Sequence, residues 1–78
     1  MNEWLSARAD ALAAAAGVDR AELELSDDAE DRLLQLAGHA AHASGARTNA
    51  PLLCYLVGIA HARGTSLEQL DETVRSTS

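Results

Sequence analysis

The chain has 78 residues, a net charge of −6 and a single cysteine, Cys54. A chain of this length predicts one small domain over residues 1–78, and a lone cysteine excludes an intrachain disulfide. Nucleic acid and anionic membranes are disfavoured as partners, because both select lysine and arginine. We therefore expect a protein partner or self-association, with a basic protein surface as the better electrostatic match.

The composition predicts helices. Alanine and leucine, both strong helix formers, are abundant, and phenylalanine is absent. No apolar run reaches the length of a membrane-spanning helix, and the first residues lack the basic and apolar segments of a signal peptide. Together with the free cysteine, these features favour a cytoplasmic location.

The first helix is predicted over residues 3–16, with Asn2 as its N-cap. Asp19 is then placed to cap a single turn over residues 20–23. Apolar residues at helical spacing predict a stripe that faces the core. The stripe comprises Trp4, Leu5, Ala9, Leu12 and Ala16.

The second helix is predicted over residues 27–44, with Ser26 as its N-cap. Leu33 and Leu36 are expected in its buried stripe. Asp28 and Arg32 lie one turn apart, which predicts an ion pair on the helix surface.

The third helix is predicted over residues 50–63 and is apolar nearly all round. Such a helix is either the buried centre of a domain or half of an oligomer interface. Its predicted core residues include Leu56. Gly38 and Gly58 lie inside helices, where glycine costs about 1 kcal/mol relative to alanine, and this predicts close helix–helix contact at both positions.

The fourth helix is predicted over residues 66–75, with Thr65 and Glu68 as a capping box. Asp71 and Arg75 should pair one turn apart, and residues 76–78 should fray. The short connections favour antiparallel neighbours, so the predicted fold class is all-α, a four-helix up-down bundle.

Two clusters of polar residues are candidates for ligand binding. His39, His42 and His61 are candidate zinc ligands, although a solvated helix face is the preferred interpretation and no metal is expected. Arg47, Thr48 and Asn49, with His42, precede a helix N-terminus, where anions bind. Ordinary capping by Thr48 or Asn49 is the preferred alternative for this loop.

The remaining reactive groups do not suggest an enzyme. Cys54 lies in an apolar run, where a buried thiol has a raised pKa and is inert. The acidic tract between Asp19 and Asp31 is interpreted as a solvated face, or else as a docking patch for a basic partner. No nucleotide-binding or nucleophile motif is present, so we expect no catalytic residues and no cofactor.

The middle of the chain resembles a known bacterial family. Its residues are Leu36-Ala37-Gly38-His39-Ala40-Ala41-His42, Arg47, Ala50-Pro51-Leu52 and Tyr55-Leu56-Val57-Gly58-Ile59-Ala60, after an initial Trp4-Leu5. The segment resembles a small helical domain of unknown function that occurs alone or fused to molybdopterin-guanine dinucleotide biosynthesis proteins. The loop at residues 45–49 departs from that pattern, being about one residue longer and lacking a proline.

The resemblance implies an accessory role near molybdenum-cofactor synthesis and transfers no catalytic residue. We therefore expect a non-catalytic helical accessory module for protein interaction. The alternative is a small-ligand or metal-binding domain that uses the Arg47 loop with His39 and His42. An acyl-carrier-like protein is less favoured, because the order Leu25-Ser26-Asp27 does not match the Asp-Ser-Leu acceptor site.

Overall fold

In a computed structural model, which describes residues 1–77, the chain is all-α. Over these residues it contains four α-helices, one 3₁₀ turn and no strand, which confirms the predicted all-α, four-helix fold class. The elements are α1 (Glu3–Ala16), the 3₁₀ turn (Arg20–Leu23), α2 (Asp27–Ser44), α3 (Asn49–Ala62) and α4 (Leu67–Ser76). The chain divides into two units, residues 1–30 and residues 31–78.

The caps explain where the helices begin. The Asn2 side chain accepts the N–H of Leu5 at 2.9 Å, and the Ser26 hydroxyl accepts the N–H of Ala29 at 3.1 Å. Both hydrogen bonds confirm the predicted caps. Each one satisfies a backbone amide that has no partner within its own helix. The predicted limits of α1, the 3₁₀ turn and α2 agree with the structure.

The N-terminus of α4 differs from its prediction by one residue. Ser66, rather than Thr65, is the N-cap, and its hydroxyl accepts the N–H of Gln69 at 3.2 Å. The Thr65 carbonyl instead accepts a hydrogen bond from His61 Nδ1–H at 2.7 Å. Ser76 is helical rather than frayed, and Ser78 lies outside the described residues.

In the first unit, α1 packs against the 3₁₀ turn, and Ala9 and Ala13 of α1 are buried. Arg20 fixes this arrangement, because its guanidinium donates to Asp10 at 2.6 Å and to Glu24 at 3.1 Å. The larger apolar residues of α1 that were predicted in the core are exposed, so that prediction was wrong. These residues are Trp4, Leu5 and Leu12, and the Arg8 guanidinium lies 4.3 Å from the centre of the Trp4 ring.

In the second unit, an ion-pair network ties α2 to α4. Arg32 donates to Asp71 at 3.0 Å, and Asp71 also accepts from Arg75 at 2.7 Å. The Asp71 side chain is only 15% exposed, so water screens these contacts weakly. The Asp71–Arg75 prediction is confirmed, whereas the predicted Asp28–Arg32 pair is not formed, because Arg32 reaches across to α4 instead.

Neither helical glycine marks a close helix contact. A Cβ placed on Gly38 or Gly58 meets no heavy atom within 4 Å, so that prediction was wrong. Gly45, which follows α2, is different because its φ of +71° lies in the left-handed region that favours glycine.

Replacement of Gly38 by alanine should stabilise the isolated protein by up to about 1 kcal/mol, because alanine lowers the backbone entropy of the unfolded chain without a clash. Gly45→Ala is the matched control and should destabilise by about 1–2 kcal/mol through its left-handed φ. Urea unfolding measures both changes. Equal destabilisation by the two variants would contradict the open space at Gly38.

Candidate functional site

Helix α3 is apolar on two sides, and only one of them is covered. Val57 is buried, and α3 packs against α4. Four large apolar side chains at i, i+3, i+4 and i+7 form a continuous stripe that lies exposed, which we call the α3 face. The exposed fractions are 63% for Leu52, 71% for Tyr55, 62% for Leu56 and 43% for Ile59.

This arrangement corrects the prediction that Leu56 lies in the core, and α3 is not the buried centre of the chain. A sequence that is apolar on both sides of a helix does not indicate which side the neighbouring helix covers. Leu36 of α2, 1% exposed, is the largest fully buried side chain among residues 1–77.

A groove of about 360 Å³ opens beside the α3 face. Such a volume lies near the lower end of the range for ligand pockets, about 300–1,000 Å³. Leu56 belongs both to the groove and to the α3 face, so the two surfaces are continuous. The groove is lined by His39, Ala40, Ala43 and Ser44 of α2, by Asn49, Leu53 and Leu56 of α3, and by Val74 and Thr77 at the end of α4.

The groove is lined by only some of the residues that were predicted to bind a ligand. Asn49 lines it, whereas Arg47, Thr48 and His42 are exposed and are not among its lining residues. Thr48 is the N-cap of α3 but has helical dihedral angles, and its side chain makes no capping hydrogen bond. The predicted capping role of Thr48 is therefore absent, and the groove contains His39, which had been assigned to a solvated face.

The other candidate groups have structural roles. His61 binds the Thr65 carbonyl, and Ser26 caps α2. Within residues 1–77, no three His, Cys, Asp or Glu side chains are placed to hold a metal ion. Desolvation raises the pKa of the half-buried Cys54 thiol, and this disfavours the reactive thiolate.

The charge of the chain is unevenly distributed, a feature that net charge alone conceals. Residues 32–67 contain three arginines and no aspartate or glutamate, although the whole chain has twelve acidic residues. The α3 face therefore lies in a locally basic segment of an acidic protein. A count of charges along the sequence, rather than their sum, would have revealed it.

The structure thus defines a small helical domain whose third helix presents an uncovered apolar face beside a groove. The chain belongs to the family described as a domain of unknown function, DUF6457, whose model matches residues 1–78. No curated protein and no solved structure matches the chain. Among the described helices, none is long and apolar enough to cross a membrane.

Replacement of Leu56 by alanine should destabilise the isolated protein by less than about 1 kcal/mol, because most of its side chain is already in water. Leu36→Ala removes the same atoms from a fully buried site and should cost about 2–5 kcal/mol. Denaturant unfolding of both variants provides the comparison. Similar losses would show that Leu56 contributes to the core.

Proposed function

We propose that the protein is a non-catalytic helical module that binds a partner protein through the α3 face. The observation that supports this proposal most directly is the exposed stripe of four large apolar side chains on one helix. Large contiguous apolar surface in water is unfavourable and marks interaction sites. Full burial of a leucine, isoleucine or aromatic side chain contributes about 1.5–3 kcal/mol, from which the entropic costs of association are subtracted.

The arrangement of the α3 face also suits recognition by another helix. Anchors at i, i+3, i+4 and i+7 lie along one side of a helix and match a complementary apolar groove or helix. The adjacent groove adds a concave site for one anchoring side chain. Tyr55 provides a large rigid side chain at the middle of the stripe, and tyrosine is enriched among residues that dominate binding energies.

We further propose an accessory role in molybdenum-cofactor synthesis, specifically near molybdopterin-guanine dinucleotide. This part of the proposal is supported by the sequence resemblance at residues 36–60 and by no contact in the structure. It predicts that the partner of the α3 face is a protein of that synthesis.

Photo-crosslinking in the native host tests the proposal. Benzoylphenylalanine in place of Tyr55 should give a discrete adduct with a partner protein, because this side chain is at the centre of the α3 face. The same residue in place of Trp4 is the matched control, since Trp4 is also an exposed aromatic residue, on α1. Mass spectrometry of the adduct identifies the partner.

Introduction of Leu56→Glu into the Tyr55 variant should abolish the adduct while the helical circular dichroism is retained. Identical adducts from positions 4 and 55, or none from position 55, would refute the α3 face as a docking surface. An adduct with a protein that has no role in molybdenum-cofactor synthesis would refute only the proposed accessory role in that synthesis.

A small ligand in the groove is the second candidate function, favoured by the groove volume and by Asn49 in its lining. A ligand at about 100 times its dissociation constant adds about 2.7 kcal/mol of stability, which should raise the melting temperature by about 10 °C or more. Thermal shifts with molybdate, nucleotides or zinc test this function. Asn49→Ala should reduce the shift and Thr48→Ala should not, whereas the absence of any shift would argue against these ligands.

A further inference from the structure

We propose that the occupant of the α3 face is an amphipathic helix of another protein, apolar in its middle turns and carrying carboxylates at both ends. This inference rests on the proposed function and specifies the chemistry of the partner. It follows from the charges at the two ends of α3, which differ in sign from the net charge of the chain.

Arg47 and Arg63 lie at the two ends of helix α3. Arg63 is the C-cap of α3 and lies four residues after Ile59, so it continues the stripe, while Arg47 immediately precedes the N-cap, Thr48. Both arginines are exposed. The 14 residues of α3 that lie between them, Asn49–Ala62, span about 21 Å, the length of about four helical turns.

Within residues 1–77, these two arginines differ from the other four in their contacts. Arg20, Arg32 and Arg75 form ion pairs with carboxylates, and Arg8 lies over the Trp4 ring. Among the residues that the structure describes, neither Arg47 nor Arg63 makes an ion pair. Residues 32–67 contain no acidic residue, so neither α3 nor the loops that flank it supply a carboxylate to these two arginines.

The groove specifies the centre of the same partner. Its apolar lining includes Leu53 and Leu56, and Leu56 connects it to the exposed stripe. A large apolar side chain from a helix that lies along the α3 face would enter this groove beside Leu56. Anchors of this kind, in a desolvated pocket with charges at the rim, carry most of the energy of an interface.

A second copy of the chain fits these charges less well. If two copies meet through their α3 faces in antiparallel orientation, Arg63 of one comes near Arg47 of the other. In parallel orientation, each arginine meets its own counterpart. Either arrangement places like charges together at both ends of the interface, which disfavours self-association.

The experiment uses purified full-length protein and a fluorescent helical peptide of about 18 residues, about 27 Å long. The peptide has leucines at i, i+3, i+4 and i+7 in its middle turns and two glutamates in each end turn. A matched peptide carries lysines at those four end positions. Fluorescence anisotropy at low salt should show about tenfold tighter binding of the glutamate peptide, with the difference decreasing as salt is added.

Net charge alone predicts tighter binding of the lysine peptide, because a chain of net charge −6 attracts it at long range. The expected preference for the glutamate peptide is the opposite. The double variant Arg47→Glu/Arg63→Glu should reverse the preference. Arg8→Glu, a charge reversal on α1, should leave it unchanged. Helical circular dichroism of the double variant checks that it is folded.

Three results would overturn the inference: equal binding of the two peptides, preference for lysine, or no binding of either. A dimer in light scattering that Leu56→Glu converts to monomer would also overturn it, in favour of a second copy. The proposed function has a separate test. An adduct from Tyr55 in cells would leave that function standing even where the peptides show no charge preference.

Discussion

Helix α3 has more apolar surface than its neighbours in the described structure cover. The segment is apolar nearly all round, and a chain of 78 residues is short, so it buries only about 60% of the surface that its unfolded form exposes. One side of α3 is occupied by packing against α4, and the other side stays in water as the α3 face. The proposals for function depend on this imbalance.

The buried positions show how so small a chain uses its residues. Three of the five buried side chains among residues 1–77 are alanines, and the other two are Leu36 and Val57. Alanine on a helix face allows the neighbouring backbone to approach closely but removes little apolar area from water. Larger residues such as Trp4 and Leu12 lie outside this packing. The core is therefore modest, and contacts such as those of Arg20 and Asp71 supplement it.

Charged side chains have different roles in the ion-pair networks and at the ends of α3. The Arg32–Asp71–Arg75 network holds together elements within residues 31–78, and Arg20 does the same within residues 1–30. At the ends of α3, Arg47 and Arg63 are exposed and form no ion pair among residues 1–77. In the proposed function, a basic, apolar segment of an acidic protein presents a locally distinct surface to a partner. The proposed partner is therefore acidic at its ends, whereas the net charge alone indicates a basic one.

Local chemistry in the sequence determined the helices. Asn2 and Ser26 cap α1 and α2 as predicted, because a capping side chain binds an amide only three residues away. The spacing of neighbouring residues in the sequence also predicted the turn at Arg20–Leu23 and the Asp71–Arg75 ion pair. The same reasoning misplaced the cap of α4 by one residue, because Thr65 and Ser66 are both suitable caps and only the structure shows which hydroxyl reaches an amide.

Tertiary structure decided which apolar residues are buried. Periodicity identified α3 as apolar on all sides, but only the packing of the helices shows that Val57 is covered and Leu56 is not. It also directed Arg32 to Asp71, 39 residues away, rather than to Asp28 on its own helix. The groove, which joins His39 to Asn49 and Leu56, likewise depends on three helices that meet in space. Sequence spacing alone does not encode such contacts, because they depend on how helices are placed and not on the order of residues within one.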